Sequence, residues 1–235
     1  MQLIDIKEIK GKIILKSGLH IGAGDTEMHI GGTDNPVIKH PHTQEPYIPG
    51  SSLKGKVRSL LEMKSGLMVR TNGRPVQAAL LKKLNGDERE ECEKILKLFG
   101  SSGAEGEEIA KIGPTRVSFS DCLLNDAWRK KAREERLSNF EVKAENWINR
   151  IEGTAKDPRF TERVPAGVIF DFSVSLKMLG EEDDLFQYLM TGLKLLEMDA
   201  LGGSGSRGYG KISFLFDDDE NRRKFKDINP FPNGG

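Results

Sequence analysis

All four histidines of this chain fall between residues 20 and 42, in the stretch LHIGAGDTEMHIGGTDNPVIKHPH. Asp25, Glu27, Asp34 and Lys39 lie among His20, His29, His40 and His42, and no other stretch of the chain contains a histidine. Imidazoles and carboxylates gathered in this way suit a metal site or an acid–base site. No two of the histidines have the helical HExxH spacing, so zinc is not specified. Asp34, set between Gly-Thr and Asn-Pro, also reads as a turn residue whose carboxylate bonds its own backbone.

A second group of residues suits anions. LGGSGSRGYG places five glycines around Arg207 just before an apolar-polar alternation. Gly203, Gly205 and Gly208 permit left-handed backbone, and bare N–H groups in such a loop form a phosphate-sized nest beside a guanidinium. The same glycines also read as a helix cap followed by a turn. In SSLKGKVRS, Lys54 and Arg58 are four apart near a helix start, where exposed amides favour anions. A solvated polar face is the equal alternative.

Residues 143 to 167, KAENWINRIEGTAKDPRFTERVPAG, set Arg150, Lys156, Arg159 and Arg163 beside Trp147 and Phe160. A protruding hairpin with a turn near Glu152 to Pro158 would wedge aromatic groups between bases while its cations meet phosphates. Glu145, Glu152, Asp157 and Glu162 nearly cancel that charge, so an arm for protein contacts is an equal physical reading.

These groups must be positioned by a real core, and 235 residues suffice for one domain carrying insertions. Lysine plus arginine and aspartate plus glutamate each total 36, so summed charge gives no long-range pull towards nucleic acid. A polyanion would be held by local patches, or by a surface shared between chains. Cys92 and Cys122 have no paired spacing, which argues against a disulfide framework and favours a reducing compartment. No apolar run reaches membrane-spanning length, so a cytoplasmic protein without membrane contact is expected.

Ile9, Ile13 and Leu15 share one parity in a half-buried first strand, and residues 18–49 read as an ordered loop with a small hairpin. Ser51 or Ser52 caps a helix with an apolar stripe at Leu53, Val57, Leu60 and Leu61. Gly55 within it suggests close approach of a neighbour or ligand. An insertion over about 66–114 carries a helix at 88–98, lid-like and partly flexible. Strands follow at 115–124 and 166–178, separated by a charged interval of about 126–164. A helix from Asp183 or Asp184 leads to the glycine segment and a last strand through Ile212, Phe214 and Phe216. Residues 217–235 read as a solvated tail. Without its insertions the order is βαββαβ, the ferredoxin-like or RRM-like α+β arrangement.

Taken in order, LHIGAG, GGTDNP, PYIPGSSLKGKVRS, GPTRVSFSD, ENWINRIEGTAKDPR and LGGSGSRGYG resemble the backbone subunit of type III-A CRISPR effector complexes, a family within the RAMP superfamily. The likeness spans nearly the whole chain and implies a single RAMP domain with a thumb hairpin. It also implies copies stacked head to tail along a CRISPR RNA, with a large subunit, a small subunit and guide-end capping subunits as further partners. Lys54, Arg58, Arg207, the glycine loop and the thumb residues would then grip RNA. Such subunits cut guide-paired target RNA once per copy, need Mg²⁺ or another divalent cation, and leave a cyclic phosphate and a 5′-hydroxyl. The family's cleavage aspartate falls on Asp34, which would position the ribose 2′-OH or help hold the metal, with general-base action second; His20 would be a helper, or a neutral imidazole satisfying a buried carbonyl. A purely structural RNA scaffold is the alternative, and a guide-processing endonuclease ranks third.

Overall fold

A computed structural model describes residues 2–24, 35–101, 107–180 and 183–232. Strand β1 (Asp5–Leu15) buries Ile9, Ile13 and Leu15 on one face, as its alternation requires. It pairs antiparallel with β5 (Ile169–Met178) from Asp5↔Met178 to Ile14↔Ile169, and with β6 (Ile212–Phe216) from Gly11↔Phe216 to Leu15↔Ile212. The short β2 (Val117–Phe119) lies along the outer side of β5. The sheet order is β2-β5-β1-β6, so the four core strands run second, third, first, fourth. This is the split βαβ arrangement expected from the pattern.

Helices α1 (Gly50–Lys64) and α6 (Asp183–Met198) supply the second layer through Leu53, Val57 and Leu61 and through Leu185, Leu189, Leu193 and Leu196. A Cβ on Gly192 would meet Val57 Cγ1 at 2.7 Å and Leu61 Cδ1 at 2.9 Å, so glycine sets how closely the two helices cross. Among the described residues no neighbouring atom lies within 4 Å of a Cβ built on Gly55, so contact with them does not explain that glycine.

Between α1 and β2 lie α2 (Leu67–Arg70), a 3₁₀ segment (Ala78–Lys83), α3 (Gly86–Phe99) and α4 (Glu107–Ile112). Cys92, Ile95, Leu96 and Phe99 form a stripe on α3 that joins the same core, and Tyr188 of α6 donates its hydroxyl to Glu91 at 2.6 Å. Residues 102–106, inside the stretch expected to be flexible, lie outside the described residues.

Three features differ from the sequence reading. The charged interval begins with a helix, α5 (Asp126–Glu134), capped by Asn125, whose side chain accepts from the Trp128 amide at 3.2 Å. Its hairpin, β3 (Glu141–Ile148) and β4 (Ala155–Arg163), turns at 149–154 rather than near Glu152–Pro158. There Asn149 Oδ1 accepts from the amides of Ile151 and Glu152. Pro158 instead sits within β4 at a register shift, where Glu145 faces Arg159 but Trp147 faces Lys156. A bulge tolerates the amide that proline lacks. Finally, the expected solvated tail contains α7 (Asp219–Asp227), capped by Asp218, with Phe225 buried 4.7 Å from the Phe216 ring. Among the described residues, no helix is long and apolar enough to cross a membrane.

Candidate nucleic-acid interface

Three segments far apart in sequence meet at the base of the β3–β4 hairpin. Leu19 exchanges both backbone hydrogen bonds with Val164 at 2.8 Å, tying the loop after β1 to the end of β4. Gly203 donates its amide to the His20 carbonyl at 2.9 Å, and Gly210 donates to Gly18 at 2.9 Å, which brings the glycine segment onto the same loop. Gly202 has φ of +75°, and a Cβ there would lie 2.3 Å from the His20 carbonyl oxygen. Only glycine meets both conditions without displacing backbone.

The imidazole of His20 is fixed by this arrangement. Its Nδ1 lies 2.7 Å from the Glu162 carbonyl, an acceptor, so Nδ1 carries the proton and donates. Nε2 is then an acceptor in the neutral ring and a second donor in the protonated one.

Glu162 holds a second piece of chain. Its amide donates to Asn35 O at 3.1 Å, while its carboxylate accepts from Val37 N at 2.9 Å and pairs with Lys39 Nζ at 3.1 Å. Residues 35–39 are therefore laid along the thumb base beside His20. Asp34, expected as the catalytic aspartate and as metal ligand, directly precedes Asn35 in sequence and lies outside the described residues. Among the described residues, no group of three or more His, Cys, Asp or Glu is arranged to hold a metal ion. The side chains placed here do not by themselves fit a divalent-cation site.

Arg207 reaches the thumb. Its Nη1 lies 2.5 Å from Glu145 Oε2, and the Tyr209 hydroxyl donates to Glu145 Oε1 at 2.8 Å. The Tyr209 hydroxyl, then Arg207 and Lys143, hold the Glu145 carboxyl below the usual carboxylate range, against the opposing effect of burial. Glu145, Asn146, Trp147, Asp157, Arg159 and Arg207 line a groove of about 580 Å³. The Arg159 guanidinium has no ion-pair or hydrogen-bond partner among the described residues. Arg163 is turned to Glu141 at 2.6 Å and lies over the Tyr209 ring, Lys156 pairs with Glu152 at 2.7 Å, and Arg150 is exposed in the turn.

The glycine segment is less open than its composition suggests. Gly203 and Gly208 have their amides bonded inside the chain, the latter to Gly205 O at 3.0 Å. The amides of Ser204, Gly205 and Ser206 have no acceptor among the described residues. On α1 the two cations part company. Burial, and then the charge of Arg58, lower the Lys54 pKa, so its ammonium gains from an anion. Arg58 instead donates to Glu62 at 2.7 Å and to Val76 O at 2.5 Å, while buried Glu62 also accepts Val76 N at 3.0 Å. That network fastens α1 to the insertion.

Sequence reasoning assigned no role to Glu162 or Tyr209 in organising this site. Glu162 counted only as charge, yet it makes four of the contacts that gather the site. A glutamate surrounded by cations in a strand that ends beside a glycine-rich loop was the available signal.

The model of the RAMP superfamily matches residues 12–213. A CRISPR system Cms endoribonuclease Csm3 of Methanothermobacter thermautotrophicus is 40% identical over 219 residues, covering 88% of this chain and 82% of the relative. That of Methanocaldococcus jannaschii is 41% identical over 218 residues, covering 88% and 79%. Among solved structures, the Methanopyrus kandleri Csm3 crystal structure aligns with TM-score 0.56 and 25% identity over 90% of this chain and 75% of that one. A chain of a Csm3-Csm4 subcomplex from a type III-A CRISPR-Cas interference complex aligns with TM-score 0.53 and 31% identity, over 91% and 77%. With the family model spanning most of the chain and relatives at this identity, the chain belongs to the RAMP superfamily, as a Csm3-like member of it.

Proposed function

We propose that this chain is the repeated guide-binding subunit of a type III-A CRISPR effector complex and the endoribonuclease that cuts target RNA paired to the guide. The observation that carries this reading is the meeting of the His20 loop, the chain that follows Asp34, and the glycine segment at the root of a protruding hairpin. Copies stack head to tail along the CRISPR RNA, beside large, small and capping subunits. Zero net charge suits that stacking, since a strongly basic chain would repel its own copies.

Guide recognition rests on phosphate contacts. Lys54, Arg159, Arg207 and the amides of Ser204 to Ser206 hold the sugar–phosphate chain, and base pairing reads the sequence. Gly205 belongs to this set, whereas Gly203 and Gly208 act as shape. Arg150, Lys156 and Arg163 add thumb charge once RNA competes with their carboxylate partners. Lys54→Ala and Arg207→Ala are expected to weaken binding alike for unrelated RNA sequences. Each should lower the slope of log affinity against log salt by about 0.7 per lost contact. A loss confined to one sequence would contradict this.

Scission uses the substrate's own nucleophile. The 2′-oxygen attacks the adjacent phosphorus, its proton passes to a base, the P–O5′ bond breaks, and the leaving oxygen takes a proton. The products are a 2′,3′-cyclic phosphate and a 5′-hydroxyl. Asp34 orients the 2′-OH, and the thumb bends the target until attack is in line; positioning alone yields much of the rate. His20, whose Nε2 is the imidazole nitrogen not engaged by Glu162, serves the phosphate or the leaving oxygen. A divalent cation held with the help of Asp34 would supply positive charge beside the scissile phosphate. A target with a single 2′-deoxyribose before the scissile phosphate is expected to bind and remain whole there. Cleavage at that linkage would contradict 2′-OH attack.

A further inference from the structure

Trp147 sits in the thumb groove with about half of its surface exposed, 51%, although tryptophan is among the residues most strongly driven out of water. Its indole N–H donates to Asp157 Oδ2 at 2.7 Å. Asp157 reaches that position from φ of +49°, left-handed backbone that costs a non-glycine residue about 1 kcal/mol or more. Asp157 belongs to the bulged stretch of β4, where the register shifts between Glu145 and Trp147. A bulge re-aims side chains, and this one sets the carboxylate where it tethers the ring by its edge. The ring is oriented by a polar bond while remaining open to the groove.

The rest of the groove says what belongs against that ring. Arg159 and Arg207 line the groove with it, and the groove's two carboxylates are already engaged, Glu145 by Tyr209 and Arg207 and Asp157 by the indole. An aromatic plane beside two guanidiniums matches a base and the phosphates on either side of it. We propose that Trp147 is a stacking platform for one unpaired nucleobase, with Asp157 as the residue that positions it. The inference rests on the RNA-binding reading above and adds to it a base-contacting residue. An arm for protein contacts would call for the same exposed ring but would leave the ring indifferent to RNA.

The chain contains two tryptophans, and Trp128 is buried, so RNA-induced change in tryptophan emission reports Trp147. The test titrates a labelled single-stranded oligoribonucleotide into the full chain, reading label anisotropy for binding and tryptophan emission for stacking. The expected result is a rise in anisotropy together with quenched emission. Trp147→Phe should abolish the quenching, and Trp147→Ala should weaken binding by about tenfold or more. An oligomer with abasic sugars should bind without quenching. Asp157→Ala should diminish the quenching, and Asp157→Asn, which keeps a carbonyl acceptor and tolerates left-handed backbone, should retain it. Anisotropy that rises with emission unchanged, or equal quenching by the abasic oligomer, overturns the platform alone. No rise in anisotropy overturns the RNA-binding reading and the platform with it.

Discussion

A complex rebuilt with Asp34→Ala protein is expected to assemble, hold its guide and bind target RNA as the native complex does, yet cut that target at least about 100-fold more slowly. The expectation follows from where the neighbouring chain is tied. Asn35 is bonded to Glu162, whose carbonyl holds the His20 imidazole, and Asp34 directly precedes Asn35 in sequence. In the proposed function the Asp34 carboxylate orients a 2′-OH, a task that alanine cannot do. An ordinary aspartate is a weak base at neutral pH, which is why orientation is assigned to it first. Single-turnover cleavage with target affinity measured in parallel separates the two effects. A mutant that cuts at the native rate would leave the aspartate as a loop former.

The second large effect is expected from one methyl group. Gly202→Ala puts a Cβ 2.3 Å from the His20 carbonyl oxygen at a φ of +75°, and the obstructing atom is backbone. No rotamer relieves it, so either the His20 loop or the glycine segment must move. The predicted loss of stability is about 2–4 kcal/mol. Because Gly203 holds the same carbonyl, the displacement should also reach the imidazole. Denaturant unfolding and target cleavage should both show the change. An unaltered unfolding midpoint would mean that the contact between the two segments is looser than described.

Much of the architecture was legible because it rests on strong periodicity. The alternation in β1, β5 and β6 and the leucine stripe of α6 are long, and tertiary packing only reinforces them. Helix α5 was missed because its segment is mostly charged and buries little beyond Trp128 and Ala132, although the Asn125 cap signalled its start. The tail was misread for a related reason, since a single aromatic, Phe225, anchors an otherwise polar helix. The thumb turn was displaced because Pro158 was read as a turn former and a bulge was the other solution.

The site was legible as a set of residues rather than as a set of contacts. His20, Arg207 and the glycine segment do converge with the hairpin, and spacing in sequence carried no information about that meeting. Arg58 shows the converse. Its helical spacing from Lys54 placed both on one face, but a glutamate one turn further on, at position 62, draws the guanidinium inward. Whether a cation faces an anionic ligand or a buried carboxylate is decided by the partner, and the burial of Glu62, which also accepts from Val76 N, appears only in the fold.

The most direct measurement maps cut positions and end groups on guide-matched target RNA, using complexes rebuilt with native or Asp34→Ala protein. The account predicts a ladder of evenly spaced cuts, one per copy of this subunit, ending in 2′,3′-cyclic phosphates and 5′-hydroxyls, from the native complex alone. The same ladder from the mutant complex, or fragments that begin with 5′-phosphates, would contradict it.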